Sequence, residues 1–186
     1  MTVVENFSRI ATHMVKGMMT HEQLMNAYLF IGLPGYAACH KYHYLSETES
    51  YISLCEYAAN HFDTIISTIQ PIHDIPDIIP KSWFVSTRDQ VDSKTRIQAI
   101  EEGFNEWLRW ENVTKQLYSD TYFSLSSIDI PASEFVKKLI LDVEEEIVYA
   151  KNELLAKRSI GFDIVSIMEE QDKIERSFKK KIKMNP

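Results

Sequence analysis

Apolar positions recur every three to four residues over most of the chain, a spacing that predicts helices rather than strands. Residues 3–18 read as a short helical extension ahead of the four numbered helices. Thr20, His21, Glu22 and Gln23 have the form of a capping box, with Thr20 as N-cap and Gln23 reaching back to it. A helical stretch follows to about residue 45, interrupted by Pro34 in the segment GLPG, where the chain must kink or split. Ser46 and Glu49 form a second box. The helix it opens carries Tyr51, Cys55, Ala58, Ala59, Phe62, Ile66 and Ile69 on one face and stops before Pro71. Pro71, Pro76 and Pro80 exclude a regular helix from residues 71–87, a long connection for two packed helices. A third helix, from residue 88 or 93 to 118, places Ile97, Ile100, Phe104, Trp107 and Leu108 together. Pro131 suits the first position of a fourth, which carries Phe135, Leu139, Val143, Ile147, Ala150 and Leu154. Gly161 stops it, and Asp163 caps a last helix over residues 164–183.

Four of these helices have roughly 25 residues, or about 37 Å of length each. Short joins pair helices one with two and three with four. The long join between two and three lets the chain cross the bundle, which is the wiring of ferritin-like folds. The expected fold is therefore all-α: a ferritin-like four-helix bundle with a long crossover between helices two and three, plus a C-terminal helix. The expected organisation is a helical extension over residues 1–19, the bundle over 20–158, and a C-terminal helix with a basic tail over 159–186.

The length of 186 residues suits one domain with a sizeable core. A net charge of −7 argues against a protein whose whole surface binds nucleic acid. Cys39 and Cys55 lie on different helices and read as reduced thiols in a cytoplasmic protein. The first residues lack the form of a signal peptide, and no apolar run reaches the length of a membrane span.

Carboxylates on apolar faces are the candidates for chemistry. Di-iron bundles use Glu-x-x-His pairs on two helices, and this sequence contains none. Glu111 lies on the apolar face of helix three, four residues after Trp107, and Glu144 lies close to the stripe of helix four. The two make an alternative metal site; the plainer reading is a carboxylate satisfied by Lys, Tyr or a Trp N–H. His40 and His43 share a helix face and can bind one ion together. Asp63 sits at the edge of an apolar stripe and requires a partner: a metal, another subunit or a lysine.

The segment KYHYLSETESYISLCEYAANHFDTIIS resembles the end of helix A and most of helix B in the Dps proteins, small dodecameric ferritins of bacteria. His43-Tyr44 matches their His-aromatic pair, and EYAANHFDTIIS matches a segment of their helix B. The resemblance covers about residues 21–158. It implies an iron site between two subunits, with His43 from one and Asp63 from the other, and His40 as a substitute. Ser67 stands where the family has a Glu, so the site implied is degraded, with iron weakly bound or absent and weak ferroxidase activity at most. The resemblance also implies a cytoplasmic homo-oligomer, a dodecamer, that holds DNA phosphates on a basic arm, here Arg176, Lys179, Lys180, Lys181 and Lys183. Two alternatives stand beside it: a carboxylate-bridged metal enzyme with an intra-bundle site, and a ferritin-like structural protein without metal chemistry.

Overall fold

The computed structural model of the chain describes residues 1–66 and 91–184. The described residues form five helices and no strand: α1 (Val3–Phe30), α2 (Pro34–Phe62), α3 (Ser93–Ser126), α4 (Ile130–Ser159) and α5 (Ile164–Met184). α1 packs along α2 and α3 along α4, each pair closed by a short turn, and α5 lies against α2. The fold is the ferritin-like bundle that the connection lengths predict, with a long connection between the two hairpins and an added C-terminal helix. Most of that connection, including the proline-rich stretch 71–87, lies outside the described residues. Among the described residues, no helix is long and apolar enough to cross a membrane.

The first two helices begin and end elsewhere than expected. α1 runs unbroken through Thr20, whose side chain is buried and caps nothing. The capping box belongs to the start of the chain, where Glu5 N donates to Thr2 Oγ1 at 3.2 Å and Thr2 N donates to Glu5 Oε2 at 2.7 Å. α2 likewise continues through Ser46 and Glu49, and Thr48 Oγ1 donates back to the Tyr44 carbonyl at 2.8 Å. The break between helices falls at GLPG. Gly32, at φ +79°, adopts the left-handed conformation that follows a helix end, and Pro34 occupies the first turn of α2, where its missing N–H is not needed. The division between residues 19 and 20 thus falls inside α1, and α1 and α2 are the first hairpin of the bundle. α2 ends at Phe62, with Asp63 in the left-handed region at φ +48°.

The interior divides into two apolar halves. One gathers Leu24, Tyr28, Tyr36, Phe104, Trp107 and Leu154. The other gathers Phe7, Ile10, Met14, Leu54, Val136 and Ile147. All four bundle helices pass from one half to the other, and the residues at the passage are polar.

α5 is tied to the bundle by specific contacts. Gln171 Oε1 accepts from Gly35 N at 3.0 Å and Tyr36 N at 3.3 Å, which satisfies two of the free N–H groups at the start of α2. Buried Lys157 on α4 pairs with Glu153 at 3.6 Å and with Glu170 of α5. Gly35 is required for this approach, because a Cβ there would lie 2.7 Å from the Gln171 carbonyl oxygen, a backbone atom that cannot rotate away. Gly35→Ala is expected to destabilise the fold by about 1–3 kcal/mol through this overlap, despite the better helix propensity of alanine. Urea unfolding of the two proteins measures it; an equal or higher midpoint for the variant would contradict the packing.

Candidate metal centre

The polar passage between the apolar halves holds three histidines and three glutamates. On α1, His21 lies seven residues after Met14 and three before Leu24, and so shares their inward face. On α2, His40, His43 and Glu47 are each about one turn apart. On α3, Glu111 follows Trp107 by one turn, and on α4, Glu146 lies three residues after Val143 and four before Ala150.

These side chains converge. His21 Nδ1 lies 3.0 Å from His40 Nδ1, so one ring donates and the other accepts. His21 Nε2 points toward Glu111 Oε1 at 3.6 Å, and Trp107 Nε1–H donates to that same oxygen at 3.0 Å. His43 Nδ1 lies 3.1 Å from Glu146 Oε2, outside the alignment of a hydrogen bond. Aromatic rings hold the imidazoles: Tyr28 stacks on His40 at 5.4 Å between centroids, and Trp107 contacts His40 at 4.8 Å and His43 at 4.9 Å. Gly17 leaves room on α1 for Glu47, since a Cβ at that position would lie 2.8 Å from Glu47 Oε1.

Burial disfavours charge throughout the cluster. It pushes the Glu111 carboxyl up to about 7 and Glu146 up to about 8, and the proximity of Glu146 adds to the effect on Glu111. Glu47 is raised well above the ordinary range for the same reasons, burial first and then the two neighbouring carboxyls. Desolvation lowers His21, lowers His40 strongly and takes His43 down to about 3. At neutral pH the imidazoles therefore carry lone pairs rather than charge.

One ligand atom each from His21, Glu111 and Glu146 lies within 4.8 Å of the other two. His21 Nε2 and both nitrogens of His43 are buried without a hydrogen-bond partner, an arrangement that folded proteins avoid unless an ion or water fills it. Imidazole and carboxylate donors are the ligands of iron, manganese and zinc sites. In the tautomer that a metal requires, His21 Nδ1–H donates to His40 and Nε2 is free to bind, so His40 orients the ligand. The donor set of His21, Glu111 and Glu146 fits a metal ion, and His43 Nδ1, 3.1 Å from Glu146 Oε2, borders it. The ion would supply Lewis acidity or a redox couple; the chain supplies the donors and their orientation.

Of the residues expected from the sequence, His40, His43 and Glu111 meet here. Asp63 does not. It is exposed at the end of α2, and His43 sits twenty residues earlier on the same helix, about 30 Å away, so the two could meet only across two subunits, and His43 is buried inside its own bundle. The resemblance places the two on successive helices, and the break it needs near Ser46 does not exist, because α2 is continuous there. Ser67 lies outside the described residues. Glu144 faces outward and pairs with Lys115 at 2.7 Å on the surface, so the carboxylate that joins Glu111 is Glu146, about 200° further round α4. His21, Glu47 and Glu146 are the residues missed. His21 is concealed by its place in an apparent capping box.

The basic end of the chain is a docked helix. Phe178 is buried there, within the basic segment, so Arg176 precedes the last core position while Lys179, Lys180, Lys181 and Lys183 follow it. Lys179 pairs with Glu175 at 2.6 Å, and Arg176 Nε donates to the Asp172 carbonyl. Lys180 and Lys183 are exposed, and Lys181 turns over the rings of Tyr42 and Phe178.

Fold and site together define a ferritin-like helical bundle with a candidate metal cluster in its interior. No known family model matches the sequence, and no curated protein matches it significantly. Among solved structures, the chain is similar to a novel open pore ferritin from the hyperthermophilic archaeon Archaeoglobus fulgidus. The TM-score is 0.74, over 93% of this chain and 94% of the other, at 11% sequence identity. At that identity the likeness is one of fold.

Proposed function

We propose that the chain binds iron, or a divalent ion of similar chemistry, at a site inside its helical bundle, and that this site carries its function. The observation behind the reading is the cluster of His21, Glu111 and Glu146, whose ligand atoms lie within 4.8 Å of one another. The similarity in fold to a ferritin supports iron as the ion handled. Cobalt(II) reports on the site through its visible spectrum without oxidising. The wild type is expected to bind it, and Glu111→Gln and Glu146→Gln are each expected to weaken binding by about tenfold or more, with a matching loss of iron(II) oxidation. Glu144→Gln serves as the control and should bind as wild type. Undiminished binding in a Glu111→Gln, Glu146→Gln double variant would remove the interior site.

The finer reading is a Dps-like homo-oligomer, a dodecamer with weak ferroxidase activity that holds DNA by phosphate contacts. Asp63, exposed at the end of α2, supports a contact with another subunit, and exposed Lys180 and Lys183 support an anionic partner. Buried His43, turned toward Glu146, favours the interior as the place of the metal. Light scattering tests the assembly: a mass near twelve chains supports the shell, and a monomer removes it.

A further inference from the structure

A cavity of about 220 Å³ lies among α2, α4 and α5. His43 and Glu146 line it, so it borders the proposed metal centre. Tyr42, Tyr149 and Phe178 supply aromatic walls. The remaining charges are of both signs: Asp142 and Glu145 on α4, and Lys181 on α5. Lys181 Nζ lies 5.3 Å from the Tyr42 ring centroid and 4.9 Å from that of Phe178, and among the described residues it makes no ion pair. α5 is not one of the four bundle helices, yet it supplies both Phe178 and Lys181.

The mixed lining is informative. A passage for bare metal cations is served by carboxylates, and an ammonium along it repels the cargo. A pocket for a simple anion is poorly served by two carboxylates. A lining that carries both signs, with aromatic surface between them, is complementary to a molecule that carries both signs itself.

We infer that this cavity binds a small zwitterion of amino-acid size, with its carboxylate on Lys181, its ammonium on Asp142 and Glu145, and its side chain against the aromatic walls. The inference rests on the interior metal site only for the chemistry that would follow; the binding stands on the cavity alone. The bound molecule would place the chain among metal-dependent proteins that act on a small organic substrate.

Calorimetric titration of the full chain, metal-free and cobalt-loaded, tests it with L-phenylalanine and L-leucine. Phenethylamine, which lacks the carboxylate, and 3-phenylpropionate, which lacks the ammonium, are the matched controls. L-phenylalanine is expected to bind at least tenfold more tightly than either control. Lys181→Met is expected to weaken L-phenylalanine by tenfold or more and leave phenethylamine unchanged. An Asp142→Asn, Glu145→Gln variant should weaken L-phenylalanine and phenethylamine alike. Absence of binding by both amino acids, or equal binding by wild type and Lys181→Met, overturns the inference. Cobalt binding is measured on the same samples, so a wild type that binds cobalt but neither amino acid refutes the cavity and not the metal site. Lys181 is exposed near the end of α5, and its replacement leaves the core intact.

Discussion

Truncating Trp107 to alanine is expected to lower the folding free energy by about 3–5 kcal/mol, a large part of the stability of a domain this size. Trp107 is completely buried and contacts Phe104 and Tyr149 as well as the rings of His21, His40 and His43. It also supplies the N–H that Glu111 accepts. Trp107→Phe separates the two roles. It keeps most of the apolar volume and removes the donor, so it should cost about 1–3 kcal/mol, the penalty for a buried acceptor left with fewer partners. Denaturant unfolding with linear extrapolation distinguishes them. A Trp107→Ala protein within about 1 kcal/mol of wild type would mean that the bundle closes without its largest fully buried side chain.

Metal affinity is expected to rise by roughly 500-fold from pH 6 to pH 8, because the ion must displace protons from the ligands. Glu111, raised to about 7, and Glu146, raised to about 8, are both protonated at pH 6 and become increasingly ionised by pH 8. His40 and His43 are lowered far enough by burial to stay neutral across that range, and burial lowers His21 too, so the carboxyls set the slope. Competition between the protein and a chelator for cobalt(II) at pH 6, 7 and 8 measures the rise. A flat profile would mean carboxylates already ionised in the metal-free protein. The same shifts set how stability depends on pH. A carboxyl raised in the native state holds a proton that the unfolded chain has lost, so its stabilisation is full below about 4.5 and fades as pH climbs through 7 and 8. A histidine lowered in the native state resists a proton that the unfolded chain accepts, so its stabilisation is full above about 6.5 and fades toward pH 3. Without metal, these groups favour the acid side of neutrality.

Helical periodicity and the prolines make the bundle legible in the sequence, down to the long middle connection. The position of the first turn was not. Thr20 to Gln23 and Ser46 to Glu49 have the composition of helix starts, but such residues also suit the flank of a continuous helix, and only burial of Thr20 tells the two apart. GLPG contained the answer, because a glycine past one helix followed by a proline inside the next is a turn as much as a kink. The site was half legible. Glu111 stands on an apolar face for anyone to see, but Glu144 and Glu146 differ by about 200° of rotation, and the phase of α4 decides between them. A search for Glu-x-x-His pairs sees ligands that share a helix. Here the cluster takes residues from all four helices of the bundle, a proximity that only tertiary structure creates.

The polar layer between the two apolar halves also acts as an index mark for assembly. Two long helices with repeating apolar faces can slide past each other by a turn, about 5.4 Å, and still bury similar area. Such a slip in this bundle would carry His21, Glu111 or Glu146 out of the belt and set it against hydrocarbon, where an unpaired polar group is costly. The layer therefore selects a single alignment of the hairpins, and the same residues that gather ligand atoms keep the bundle from settling one notch out of place.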